Sequence, residues 1–120
     1  MGRTILKENA VFRTPTASDP ALAEVVRRLV EVYQPVRIYL FGSVARGEAG
    51  PNSDYDILVV VPNDARPEHR RSRAAYEALW GTGVAADVLV LTVDQFDSRI
   101  HLAASLPATV LREGRLLHAT

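Results

Sequence analysis

The most constraining feature of the sequence is the apolar run ILVVV at residues 57–61, which follows Asp54 and Asp56 directly and is stopped by Pro62. β-Branched residues favour strands, and a short apolar run bounded by turn residues is typical of a fully buried strand. A strand buried on both faces lies inside a sheet that helices cover. The run therefore predicts a layered fold in which residues 54–61 form an inner strand.

Helices and strands alternate on both sides of this run. Asp19 and Pro20 are a typical helix start before apolar residues at helical spacing, and Pro35 ends that helix. Further elements follow from the same signals, with strands at 36–41, 84–91 and, as an edge strand, 115–118, and helices at about 44–46, 67–80, 92–105 and 107–113. The alternation indicates an α/β (mixed α+β) fold with a central sheet flanked by helices. We expect one domain at 19–120, preceded by residues 1–18 as an N-terminal arm or edge strand.

The composition limits the class of partner. The chain has 14 basic and 14 acidic residues, whereas general nucleic-acid binders carry a basic excess. It has no cysteine, which excludes disulfides and thiolate metal sites, and its three histidines are too scattered for a zinc site. Its apolar stretches are too short for a signal peptide or a membrane span. We therefore expect a cytoplasmic protein with no membrane partner and no general nucleic-acid binding.

Three aspartates stand at the predicted strands. Asp54 and Asp56 are two positions apart, so on a strand both side chains point to the same face, with Cα atoms roughly 7 Å apart. Their mutual repulsion and loss of hydration are costly, and a divalent cation between them offsets both costs. Asp87 begins the apolar part of the strand at 84–91 and reaches the same site if the two strands are neighbours. Three such carboxylates can hold two Mg²⁺ ions about 3.5–4 Å apart. Taken singly, each aspartate also fits an ordinary turn or strand-end position.

A turn upstream adds a second element. Gly42 and Ser43 join the strand at 36–41 to a short helical turn, and glycine lets a backbone approach a ligand closely. The Ser43 hydroxyl and the amides of the turn can bind a phosphate, although the pair taken alone is more often a plain strand-to-helix turn with Ser43 as cap. Arg46 either reaches a phosphate or pairs with Glu48.

The combination of these elements is specific. Gly42 and Ser43, ten intervening residues and then Asp54-x-Asp56 resemble the signature of the DNA polymerase beta nucleotidyltransferase superfamily. The longer strings FGSVARGEA at 41–49 and SDYDILV at 53–59 look like its minimal nucleotidyltransferase branch. Asp87 matches the third acidic position of the family. The resemblance covers about residues 20–118, with no departure from the motif.

The resemblance implies a nucleotidyltransferase fold that binds ATP through two Mg²⁺ ions. Gly42 and Ser43 would hold the triphosphate, with Arg46 as a further candidate. Asp54 and Asp56 would ligate both metals. Asp87 would ligate the catalytic metal and help to activate the acceptor hydroxyl. The reaction would move a nucleoside monophosphate, AMP, onto that hydroxyl and release pyrophosphate.

The acceptor is expected to be another chain, because the sequence ends soon after the core. Members of the minimal branch typically accompany a HEPN-domain protein encoded nearby, and they are thought to act as antitoxins that adenylylate a tyrosine of this ribonuclease toxin. The resemblance therefore implies a hetero-oligomer in a toxin-antitoxin system. Two alternatives stay open: a non-catalytic antitoxin that acts by binding alone, and the catalytic subunit of a small-molecule adenylyltransferase of the aminoglycoside type.

A cluster of four arginines is not explained by this family resemblance. The four lie at the start of the predicted helix 67–80, at positions 66, 70, 71 and 73. They form either a solvated basic face or a contact for an acidic or phosphate-bearing partner.

Overall fold

The computed structural model describes residues 19–48 and 54–120, and within these residues four strands form one mixed sheet. The strands are β1 (Arg37–Phe41), β2 (Tyr55–Val61), β3 (Ala86–Thr92) and β4 (Arg115–Ala119), in the spatial order β3-β2-β1-β4. The helices are α1 (Pro20–Tyr33), α2 (Gly42–Ala45), α3 (Arg73–Ala78), α4 (Val93–Asp97) and α5 (Leu106–Glu113), with a 3₁₀ turn at Pro67–Arg70. β1 pairs antiparallel with β2 and β4, whereas β2 and β3 are parallel. The predicted mixed α+β fold is confirmed.

β2 occupies the inner position that its apolar run predicts. Residues 57–61 are each 0% exposed, and β1 and β3 flank the strand. On one face of the sheet, α1 and α3 pack against a core that includes Ile57 and Val59. On the other face, Phe96 of α4 and Val110 of α5 pack against Leu58. Burial of these two apolar layers supplies the main driving force for folding.

α1 begins and ends at the residues that the sequence indicates. The Asp19 carboxylate caps the helix by accepting a hydrogen bond from the Leu22 amide at 3.1 Å, and Pro20 is the first helical residue. At the other end, Gln34 takes the left-handed conformation with φ 47° and donates its N–H to the Val30 carbonyl.

The helix predicted at 67–80 is divided in two. The 3₁₀ turn and α3 are separated by Arg71, whose backbone is extended at φ −124° and ψ 156°. The Tyr33 hydroxyl explains the break: it donates to the Arg71 carbonyl at 2.5 Å and accepts from the Ala75 amide at 3.0 Å. That carbonyl and that amide would bond to each other in a continuous helix, so the inserted hydroxyl replaces one helical hydrogen bond.

The helix predicted at 92–105 is also shorter than expected. A capping box between Thr92 and Gln95 fixes its start, but regular helix ends at Asp97. Turns follow until Ser105, which caps α5 through a 3.2 Å bond from the Ala108 amide. Because Ser105 serves as the next cap, it cannot also be a helix interior.

Other predicted boundaries shift by a residue or two. α2 starts at Gly42, two residues before the predicted turn at 44–46, and the edge strand at 115–118 is present as β4. The predicted arm at 1–18 and most of the loop at 47–53 lie outside the described residues, so the domain boundary at residue 19 stays a prediction. Among the helices of the described ranges, none is long and apolar enough to cross a membrane.

Candidate active site

The sheet brings the predicted acidic residues to one end. Asp56 pairs with Phe41, the last residue of β1, and with Asp87 of β3. Because β2 and β3 are parallel and in register there, Asp56 and Asp87 share a face of the sheet, with Cα atoms about 5 Å apart. The sequence predicts that Asp87 reaches the site of Asp56 only if β2 and β3 are neighbours. In the structure they are neighbours.

Asp54 stands immediately before β2 and is exposed. It lies two positions from Asp56 and close enough for its charge to act on that carboxylate. The structure therefore places all three predicted aspartates at the same end of the sheet.

The turn after β1 lies directly against Asp56. Gly42 has φ +76°, a conformation that L side chains rarely adopt. A Cβ at this position would overlap the Asp56 Oδ2 atom and would lie 3.1 Å from Cγ. A Cβ here would therefore displace the Asp56 carboxylate from its position against the turn. Ser43 follows as the second residue of α2.

Arg46 is engaged with acidic side chains. Its Nε donates to Glu48 Oε1 at 2.9 Å, and its Nη1 lies 3.7 Å from Glu113 Oε1. Of the two predicted roles for Arg46, the structure contains the pairing with Glu48. Contact with a phosphate stays a prediction.

The electrostatics of the site fit a bound cation. Burial raises the pKa of Asp56, and the nearby charges of Asp87 and Asp54 raise it further. Arg46 opposes this rise in pKa only in part. A divalent cation would stabilise the ionised form of such a carboxylate. The three candidate ligands are all carboxylates, whose oxygen donors suit Mg²⁺. Within the described residues, no three acidic or histidine side chains already surround a common point as metal ligands.

A link between the site strand and α1 was not predicted. The Tyr55 hydroxyl donates to Asp19 Oδ2, while Oδ1 of the same carboxylate caps α1. This bond raises the pKa of Tyr55 to about 12. The sequence identified Asp19 as a helix cap, but a contact across 36 positions left no local signal.

Comparison with known proteins agrees with the fold and the motifs. The sequence matches the family described as "Nucleotidyltransferase domain" over residues 21–117, a range that includes Gly42 and all three aspartates. The chain therefore belongs to the nucleotidyltransferase domain family, and the predicted resemblance is confirmed. A search of curated proteins found no match.

Three solved structures are similar to the chain. A protein of Sulfolobus solfataricus classed as a nucleotidyltransferase is 26% identical, with TM-score 0.50 over 66% of this chain and 70% of the other. A toxin-antitoxin structure with AMP-PNP is 25% identical, with TM-score 0.53 over 80% and 72%. A mutant of the toxin-antitoxin MntA-HpeT, with two aspartates two positions apart replaced by glutamate, is 21% identical, with TM-score 0.50 over 79% and 71%. At that identity, the last likeness supports the fold alone.

Proposed function

We propose that the chain moves AMP from ATP onto a hydroxyl of a partner protein and releases pyrophosphate. The observation that carries the proposal is the contact between the Gly42 turn and Asp56, in register with Asp87. This contact puts a phosphate-binding type of turn beside a group of carboxylates at one end of the sheet.

Gly42 and Ser43 bind the triphosphate in this proposal. Because Gly42 has no Cβ, the turn lies against the Asp56 carboxylate, so a phosphate held by the turn lies close to a cation held by Asp56. The Ser43 hydroxyl offers a donor to that phosphate. Arg46 is 40% exposed and holds Glu48 by a surface ion pair, which is weak enough to exchange for a phosphate.

Asp54, Asp56 and Asp87 are the candidate ligands of two Mg²⁺ ions, which when bound would neutralise charge on the phosphates and stabilise the leaving pyrophosphate. Asp87 also accepts the proton of the acceptor hydroxyl. The hydroxyl oxygen forms a bond to the α-phosphorus, and the bond from that phosphorus to the bridging oxygen of the β-phosphate breaks. The β- and γ-phosphates leave as pyrophosphate, so that AMP stays on the acceptor.

We propose that the acceptor is a HEPN-domain toxin encoded nearby and that the chain is its antitoxin. The similarity to a toxin-antitoxin structure with AMP-PNP over 80% of this chain supports this assignment. So does the motif resemblance to the minimal branch, whose members accompany such proteins.

The direct test is incubation of the chain with isotope-labelled ATP, Mg²⁺ and the purified product of the neighbouring gene, followed by mass spectrometry of that product. We expect a mass gain of one or more AMP units that requires both Mg²⁺ and the chain. A chain with Asp54→Asn and Asp56→Asn should give no mass gain while keeping its fold.

The same variant separates the alternatives. If it still protects cells from the neighbouring protein as well as the wild type does, the chain acts by binding alone. If an aminoglycoside gains mass when the neighbouring protein is present, and that protein itself gains none, the acceptor is a small molecule. The first result would overturn the proposed transfer, and the second would overturn the proposed acceptor.

A further inference from the structure

The surface around α3 carries an exposed tryptophan. Trp80, the single tryptophan of the chain, is 86% exposed, and Tyr76 one turn earlier is 48% exposed. Large aromatic side chains are usually mostly buried, and exposed ones are enriched at protein interfaces. Together with Arg73 and Glu77 they line a shallow groove of about 630 Å³.

A second groove continues from the first. It has a volume of about 360 Å³, shares Arg73 and Glu77 with the first, and is also lined by Glu68, Arg71 and Ala74. The two grooves therefore join an aromatic end, at Tyr76 and Trp80, to a charged end that Arg71 and Glu68 line together. We name this joined surface the Arg71–Trp80 face, defined by Arg71, Arg73, Tyr76, Glu77 and Trp80.

The backbone of this face is fixed at both ends by α1. The Tyr33 hydroxyl holds the Arg71 carbonyl at 2.5 Å. Arg28 donates from Nη1 to the carbonyls of Ala78 and Trp80 at 3.0 and 3.1 Å. The indole is therefore presented from a rigid support, and such preorganisation lowers the entropic cost of binding.

The charges on the face favour a protein over a nucleic acid. Arg66 pairs with Glu68 at 3.1 Å and Arg73 with Glu77 at 3.4 Å, and these two glutamates lie along the grooves, where they would repel a phosphate backbone. Arg70 and Arg71 have no ion pair within the described residues. Arg70 lines neither groove and donates its Nε to the Ala65 carbonyl at 2.8 Å, whereas Arg71 lines the second groove. Arg71 is therefore a cation without an ion pair among the described residues, on the same surface as the aromatic patch, which complements an apolar helix that carries a carboxylate.

We propose that the Arg71–Trp80 face docks an amphipathic, acidic helix of the acceptor protein. Trp80 and Tyr76 receive its apolar side chains, and Arg71 receives a carboxylate. This inference rests on the proposed function for the identity of the acceptor, although docking does not require transfer.

The single tryptophan allows a direct test. The chain is labelled with 5-fluorotryptophan, which gives one fluorine resonance, and is titrated with the unlabelled product of the neighbouring gene. We expect a saturable shift of the resonance, and the same shift when the chain carries Asp54→Asn and Asp56→Asn. A shift without any mass gain would keep the docking face and overturn the proposed transfer. A mass gain without a shift, or no binding, would overturn the docking face.

Affinity measurements by calorimetry provide the matched comparison. We expect Trp80→Ala to weaken binding about tenfold or more, as for a central aromatic residue of an interface. Arg71→Glu should weaken binding and flatten its salt dependence. The controls are Leu111→Ala, at 48% exposure like Tyr76, and Arg99→Glu, and both should bind as the wild type does.

Nucleotide binding and thermal unfolding of Trp80→Ala should match the wild type, because the side chain is almost fully exposed. Tyr76→Ser is the second variant, with the same expectation for binding. Unchanged affinity in both variants would overturn the proposal. The proposal would also be overturned if the fluorine resonance did not shift with the neighbouring protein but shifted with single-stranded RNA, or with rising concentration of the chain alone.

Discussion

At the scale of single residues, the site depends on the absence of one side chain. Gly42 has a positive φ and lies against the Asp56 carboxylate, so a side chain at this position would both strain the backbone and displace that carboxylate. At other glycines with positive φ, a side chain would cause only the backbone strain. Gly83 has φ +72° and nothing within 4 Å of an added Cβ. The chain therefore contains its own control for backbone strain.

We expect Gly42→Ala to lower the rate of AMP transfer about 100-fold, because displacement of a reacting group by about 1 Å has an effect of this size. Gly83→Ala should cost a similar ~1–2 kcal/mol of strain and leave the rate unchanged. Rates come from mass spectrometry of the acceptor, and stabilities from urea unfolding. Equal rates for the two variants would contradict the role of the Gly42 contact.

Asp56 also carries a stability cost. Its pKa is raised because burial and two neighbouring carboxylates oppose its ionisation. An ionised Asp56 therefore destabilises the folded chain at neutral pH. We expect Asp56→Asn to raise the melting temperature in Mg²⁺-free buffer, whereas Asp64→Asn, at an exposed turn, should not.

Addition of Mg²⁺ provides the complementary measurement. It should raise the melting temperature of the wild type and leave that of Asp56→Asn nearly constant, since a ligand stabilises only the protein that binds it. A variant that melts below the wild type without Mg²⁺ would contradict this account of the site.

At the scale of helices and strands, the sequence predicted an element correctly where the residues at its ends determine where it begins and ends. α1 has a cap and a proline at its start, and β2 has an apolar run with a proline after it. The division between the 3₁₀ turn and α3 had no such signal, because Tyr33 causes it from 38 positions away. The same limit applies to the candidate site: a motif predicts its residues, but the pairing of Asp56 with Asp87 depended on a strand order that the sequence left open.

We expect Tyr33→Phe to lower the free energy of unfolding by about 1–2 kcal/mol, because the part-buried Arg71 carbonyl loses its donor and the buried Ala75 amide keeps only its bond to the Ser72 carbonyl. Tyr76→Phe is the control, since Tyr76 is 48% exposed. Urea unfolding measures both. A loss of similar size in the two variants would show that the insertion of Tyr33 into α3 adds no stability.

At the scale of the whole molecule, charges balance overall, so the pH dependence of stability follows from individual groups. His118 lies on β4, and its Nε2 is buried without a hydrogen-bond partner among the described residues. Burial lowers the pKa of His118 below its ordinary value. The unfolded chain therefore takes up a proton at a higher pH than the folded chain does.

This difference sets the direction of the effect. The contribution of His118 to stability is complete above its unfolded pKa of about 6.5, and it is lost as the pH falls from there toward the folded pKa. We expect the wild type to lose stability between about pH 7.5 and about pH 5, and His118→Leu to lose less. His101→Gln, at an exposed position, should follow the wild type. Parallel curves for His118→Leu and the wild type would exclude this histidine as the cause.

One carboxylate joins the beginning of α1 to Tyr55, the first residue of β2, which lies between Asp54 and Asp56. One oxygen of Asp19 caps the helix and the other accepts from Tyr55, so a substitution of Asp19 removes a hydrogen bond from both α1 and β2. In a random mutagenesis screen for loss of transfer, substitutions at position 19 should therefore score alongside those at 54 and 56. Such inactivating substitutions would lie 35 residues upstream of the first acidic residue of the site, outside the family motif.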